Sequence, residues 1–177
     1  MVAKSIIKLI DEAIIPALFL IVAKMLSLYI VSAIFNLPFE IKSRSFLGFL
    51  PALNFADMSY YIKAENYSNL VMFLAVALGT ILILVRAYFF HASHIHPNLH
   101  AKLARFNLET LIAPSYNLYH QALIWLLFLW LTVGFLTLST IRGITYPQIT
   151  IIAFVVAANF SWVFAIDVEK EIEISQT

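Results

Sequence analysis

Four long apolar runs alternate with more polar connections along the chain, at residues 14–35, 70–90, 122–138 and 149–166. A helix needs about 20 apolar residues to cross the hydrocarbon core of a bilayer, and the first run alone extends about 33 Å. The connection between the last two runs is short and contains Arg142, Gly143 and Pro147, which favours a tight turn. The pattern predicts an all-α integral membrane protein whose four transmembrane helices form two hairpins.

Two amphipathic segments accompany these runs. Before the first run, charged side chains recur at helical spacing on one face, at Lys4, Lys8, Asp11 and Glu12, and isoleucines recur on the other, at Ile6, Ile7, Ile10 and Ile14. This pattern predicts an interfacial helix, which Pro16 then bends into the bilayer. In the central connection, His96 and Pro97 can open a second helix, with Leu99, Leu103 and Phe106 on one face and Pro114 after it. We expect this helix to lie on the membrane surface.

The remaining segments do not form a second domain. Residues 36–69 are too interrupted to span a membrane and too apolar for a linker, so we expect them to lie against the membrane surface. Residues 167–177 form an acidic tail that should be loosely ordered unless a partner holds it. The chain is therefore expected to be a single membrane domain over residues 1–177.

Basic residues favour cytoplasmic termini, because cytoplasmic connections are enriched in Lys and Arg. Four spans place both chain ends on one side of the membrane. Six basic residues would share that side, namely Lys4, Lys8, Arg86, Lys102, Arg105 and Lys170. Four would lie on the other side, namely Lys42, Arg44, Lys63 and Arg142.

The composition agrees with a membrane protein and excludes several other classes. The chain is 62% hydrophobic and 12% charged, and its mean hydropathy is +0.90, well above that of soluble domains. A net charge of +1 with dispersed basic residues argues against nucleic-acid binding. The absence of cysteine excludes disulfides, thiolate zinc sites, cysteine-ligated iron–sulfur clusters and covalently attached c-type haem.

Lys24 interrupts the first span near its middle, where a charged ammonium costs about 3 kcal/mol or more unless it finds a partner or reaches the interface. None of the four apolar runs contains Asp or Glu, so the pattern offers no simple ion pair between spans. We expect Lys24 to reach the interface, to bond a backbone carbonyl or to pair with another subunit. The alternative interpretation places it on a transport path.

Small residues recur every four positions in the fourth span, at Ala153, Ala157, Ser161 and Ala165, and would allow close approach of another helix. Asn159 lies on nearly the opposite face, where a mid-span amide should seek a hydrogen-bonding neighbour. Protein on two sides of this helix favours a membrane-protein partner or a homo-oligomer.

All five histidines lie between the second and third spans, at His91, His94, His96, His100 and His120. Neutral imidazoles bind divalent transition metals, and Pro97 could fold two histidine pairs together. Haem ligation through His91 and His120 is a weaker alternative. The cluster lacks the nearby carboxylates of familiar metal sites, and histidine is also common at membrane interfaces.

No catalytic motif accompanies these features: the chain has neither a nucleotide-binding glycine loop nor HExxH or GxSxG. We therefore expect a noncatalytic accessory or scaffold subunit that acts through helix contacts. Two alternatives remain, a metal- or cofactor-binding protein that uses the histidine-rich connection and a transporter of small solutes or ions.

Overall fold

Helices make up most of the protein (82%) in the computed structural model, which describes residues 2–42, 52–90 and 95–176. The four long helices are α1 (Val2–Ile34), α2 (Met58–Phe89), α4 (Ser115–Ile141) and α5 (Pro147–Gln176). A short helix, α3 (Pro97–Arg105), and a 3₁₀ turn (Glu109–Leu111) lie between α2 and α4. Each long helix contains an apolar segment of 23 to 32 residues, long enough to cross a membrane, which is consistent with an integral membrane protein.

Two short strands correct the all-α prediction. Strand β1 (Phe39–Lys42) pairs antiparallel with β2 (Ala52–Phe55), so that Phe39 lies opposite Phe55. Asn36 ends α1 in the left-handed conformation, at φ 49°, which lets the chain turn before β1. The Phe39 ring then contacts Tyr29 of α1 and Phe55, with ring centroids 6.2 and 6.4 Å away. These aromatic contacts explain why the segment folds back onto the bundle.

The helices extend beyond the predicted spans. Helix α2 begins at Met58 rather than residue 70, because Asp57 caps it by accepting a 3.0 Å hydrogen bond from the Ser59 backbone N–H. Helix α1 is continuous through the buried Pro16, so the N-terminal amphipathic segment is part of α1. Its position relative to a membrane surface stays a prediction.

The expectation of a loosely ordered acidic tail is wrong for residues 167–176, which continue α5. Ser115 at the start of α4 donates a 2.7 Å hydrogen bond to Glu171, which ties this part of α5 to the bundle. The central connection was expected to form one helix up to Pro114, but the helix is shorter. It breaks at Asn107, where φ is 56°, although Pro97 does occupy the first turn of α3 as predicted.

Helices α2 and α4 form the centre of the bundle, with α1 packed mainly on α2 and α5 mainly on α4. The middle of the bundle is an apolar core to which α2, α4 and α5 contribute, including Phe73, Val76, Leu129, Val133, Leu136, Ala153 and Ala157. At Gly79 the Trp125 ring of α4 packs directly against the backbone of α2, since an added Cβ would lie 2.1 Å from that ring. Close packing of this kind is a main source of helix association in membranes, where no hydrophobic effect drives the helices together.

The bundle has two distinct ends. Contacts of Glu12 with His120 and of Ser115 with Glu171 place the start of α1, the end of α5 and residues 95–114 at one end, here called the terminal end. Arg86 fastens the connection there, because its Nε donates to the Leu111 carbonyl at 3.0 Å. The α4–α5 turn and the β1–β2 pair lie at the opposite end, here called the turn end.

Candidate functional site

A cluster of buried polar side chains joins α1, α2 and the α4–α5 turn at the turn end. We call it the polar cluster, and it consists of Lys24, Ser27, Glu65, Asn66, Ser68, Asn69 and Thr145. Lys24 Nζ donates to Glu65 Oε2 at 2.5 Å and also to Asn69 Oδ1. Both charged side chains are mostly buried, with 21% of Lys24 and 16% of Glu65 exposed. The cluster therefore holds an ion pair inside the protein.

This pair corrects the expectation that Lys24 has no carboxylate partner between the long helices. Glu65 precedes the apolar run at residues 70–90, but α2 begins early enough to include it. Glu65 and Asn69 are four residues apart, so they share the face of α2 that meets α1. Because α2 starts early, the partner of Lys24 is Glu65 of the same chain rather than a residue of another subunit.

Two asparagines connect the polar cluster to the α4–α5 turn. Asn69 Nδ2 donates to the Thr145 hydroxyl at 2.7 Å, and Asn66 Oδ1 accepts from the Tyr146 backbone N–H at 2.8 Å. Asn66 is fully buried, and its Nδ2 has no hydrogen-bond acceptor among the described residues. Sequence reasoning missed these two residues because they lie before or at the start of the apolar run. Asn69 follows Glu65 by four residues and Asn66 by three, and this helical spacing was the available signal.

Ser27 and Ser68 continue the cluster between α1 and α2. Their hydroxyl oxygens lie 3.0 Å apart, and Ser27 also donates to the Lys24 carbonyl at 2.8 Å. Both side chains are almost completely buried. Small hydroxyl residues of this kind let two helix backbones approach while satisfying each other's hydrogen bonds.

The apolar core separates the polar cluster from the terminal end. Phe73, Val76, Leu129 and Leu136 fill the space between the central helices and are at most 2% exposed. The transporter interpretation, with Lys24 on the transport path, stays a prediction.

The histidines do not assemble into one site within the described part of the chain. His91 and His94 lie outside the described residues. His96 is exposed and caps α3, where its Nδ1 accepts from the Asn98 backbone N–H at 3.3 Å, and His100 is exposed one turn later. His120 Nδ1 bonds Glu12. Among the described residues, no group of three or more His, Cys, Asp or Glu side chains is placed to share a metal ion.

The faces of α5 differ in burial. Ala153 and Ala157 are fully buried, and Ser161 accepts a 2.9 Å hydrogen bond from Trp130 Nε1 of α4. Ala165 is exposed, so the small-residue stripe packs along only part of its length. Asn159 is exposed on the other side of the helix, where its Nδ2 donates to the Val155 carbonyl at 2.7 Å.

Comparison with known proteins adds no family to this description: no protein-family model, curated protein or solved structure matches the chain. The chemistry of the chain must therefore be argued from its own side chains. The polar cluster offers a neutralised ion pair and buried amides, which suit hydrogen bonding to a polar group. The outer face of α5 offers an exposed amide in an apolar surrounding.

Proposed function

We propose that the protein is a noncatalytic membrane protein that serves as an accessory or scaffold subunit by contacting other membrane components through its helices. In this proposal the four long helices cross the bilayer as two hairpins, with both termini in the cytoplasm. The start of α1 and helix α3 then lie at the membrane interface. The observation that supports the proposal is the exposed Asn159 on the outer face of α5.

The outer face of α5 combines an amide with large apolar side chains. Ile152, Val155, Asn159, Trp162 and Ile166 recur at spacings of three and four residues, and all five are exposed. Trp162 is 70% exposed. Because Ala153 and Ala157 occupy the opposite face, this face points away from the bundle. A helix from another membrane protein or from a second copy would fit against it.

The amide of Asn159 favours binding of this face to protein rather than to lipid. One N–H of Nδ2 is used by Val155, while Oδ1 accepts no hydrogen bond within the described part of the chain. Lipid acyl chains cannot supply a donor, whereas a polar side chain of a neighbouring helix can. Hydrogen bonds between transmembrane helices contribute about 0.6–2 kcal/mol each. That contribution is enough to bias association toward a specific partner.

Purification in mild detergent followed by mass measurement tests the proposal. We expect the native protein to elute with a second protein or as an oligomer, and Asn159→Ala to shift the population toward the monomer. Leu127→Ala is the matched control, because Leu127 is 57% exposed on α4 and has no polar group to lose. A native protein that remains a lone monomer with no associated protein would count against the proposal.

Metal binding by the histidine-rich connection is the second candidate function. The observation in its favour is that His96 and His100 are exposed one helical turn apart, directly after His91 and His94 in the chain. A divalent transition metal is the expected ligand, with haem a weaker alternative. Metal analysis and a visible spectrum of the purified protein test it. An absence of metal and of a Soret band, with unchanged behaviour after replacing the four histidines by alanine, would exclude this function.

A further inference from the structure

An apolar groove of about 530 Å³ lies between α1 and α4, and Met72 of α2 lines it as well. Most of its lining is aliphatic or aromatic, with Leu20 and Ile21 on α1 facing Phe128 and Leu131 on α4. Thr132 also lines the groove, but its hydroxyl donates to the Phe128 carbonyl at 2.9 Å. Lys24 is the charged residue in this lining. The groove is therefore apolar along its length and has one cation.

Lys24 has hydrogen-bonding capacity left for a molecule in the groove. An ammonium has three N–H donors, and Lys24 uses two of them for Glu65 and Asn69. The third has no acceptor among the described residues, and 21% of the side chain is exposed. A remaining ammonium donor beside hydrocarbon favours an oxygen acceptor. Glu65 neutralises the charge, so the acceptor need not be an anion.

The position of Lys24 along the bundle matches the order of groups in a phospholipid. Asn69 joins Lys24 to Thr145, so the ammonium lies near the level of the α4–α5 turn, where the helices would reach the lipid headgroups. From Lys24 the groove runs along α1 to Ala17, about 10 Å toward the middle of the bundle at 1.5 Å per residue. A phospholipid of that leaflet likewise has polar oxygens at the surface and an acyl chain directed inward.

We propose that the groove is a specific phospholipid site, in which one acyl chain lies between α1 and α4 and an ester carbonyl or phosphate oxygen accepts from Lys24 Nζ. Zwitterionic and anionic phospholipids bind alike, because the Lys24–Glu65 pair is neutral overall. Replacing Glu65 by Gln removes the counter-charge and shifts the preference toward anionic lipid. The site does not depend on the α5 surface, so it can be tested apart from the proposed accessory role.

A photoactivatable phospholipid tests this site directly. The full-length protein is placed in vesicles of equal phosphatidylethanolamine and phosphatidylglycerol that contain a phosphatidylcholine with a diazirine on one acyl chain, and labelled peptides are mapped by mass spectrometry. We expect labelling to concentrate on the groove segments 17–25 and 128–135. Ala17→Phe fills the groove and should lower this labelling roughly tenfold, because the acyl chain loses its contacts along α1. Ala165→Phe is the matched control, because Ala165 is exposed on α5, and it should leave the labelling unchanged.

A double variant separates the role of Lys24 from that of the groove shape. Lys24→Met with Glu65→Met removes both charges together, so that neither remains buried without its partner. We expect the acyl chain to lose its preference for the groove in this variant while the protein keeps its helical content by circular dichroism.

Three results would overturn the proposal. Equal labelling of every lipid-facing segment, including residues 74–82 of α2, would show that the probe contacts the protein only as surrounding lipid and has no preference for the groove. Full groove labelling in the double variant would show that Lys24 does not contribute to lipid binding. Cross-links from the groove to another protein would show that a partner helix covers it instead.

Discussion

Replacing Gly79 by alanine is the sharpest test of the packing between α2 and α4. A Cβ at this position would lie 2.1 Å from Cζ3 and 2.6 Å from Cη2 of Trp125, far inside van der Waals contact. Phe19 of α1 packs against the same indole, with ring centroids 5.8 Å apart, so moving the indole also disturbs this contact. Either the indole must leave its rotamer or the two central helices must separate.

Gly134 of α4 provides a matched control for the same chemical change. A Cβ at Gly134 meets nothing within 4 Å, so alanine there adds only helix propensity. Glycine in a helix interior is about 0.5–1 kcal/mol less favourable than alanine. Overpacking at a tight contact costs about 1–3 kcal/mol, which exceeds that gain. We therefore expect Gly79→Ala to lower the free energy of unfolding and Gly134→Ala to raise it.

Unfolding in mixed micelles with increasing dodecyl sulfate measures both changes, with helical content followed by circular dichroism. Tryptophan fluorescence gives a second signal, because Gly79→Ala should alter the environment of Trp125 and Gly134→Ala should not. If Gly79→Ala were as stable as the native protein, or if both substitutions changed stability in the same direction, the close approach at Gly79 would be refuted.

Two further predictions concern polar contacts between helices, and the same unfolding measurement checks both. Lys24→Met alone should cost about 3–5 kcal/mol, because it leaves the buried Glu65 carboxylate without its partner, and adding Glu65→Met should recover most of that loss. Equal stability of the single and double variants would contradict a buried ion pair. Trp130→Phe should cost about 0.6–2 kcal/mol by removing the indole donor to Ser161, and Ser161→Ala should add little to it. Independent, additive losses would show that the two side chains do not share this hydrogen bond.

The long apolar runs predicted the four long helices because apolar runs of this length admit few other structures. Helical periodicity also separates Ala153 and Ala157 from Asn159 on α5, where the two alanines are buried and the asparagine is exposed. The first feature follows from the length and hydropathy of each run, and the second from the 3.6-residue repeat of a single helix. No information about neighbouring elements was required for them.

Features that depend on contacts distant in sequence were not predictable in this way. Lys24 and Glu65 are 41 residues apart, and their pairing depends on where α2 starts, which hydropathy does not define. The start depends instead on Asp57, whose capping role is weak evidence by itself in a sequence. The contact of His120 with Glu12 is similar, since it joins two residues that are 108 positions apart in the chain. Hydropathy locates helices but does not identify the partners of their polar side chains.

The early start of α2 also determines the outline of the molecule at the turn end. Asn69 lies level with the α4–α5 turn, yet α2 begins eleven residues earlier, at Met58, so about 16 Å of helix extends past that turn. The end of α1, the start of α2 and the paired strands therefore extend beyond the α4–α5 turn, so the bundle is longer on the side of α1 and α2 than on the side of α4 and α5.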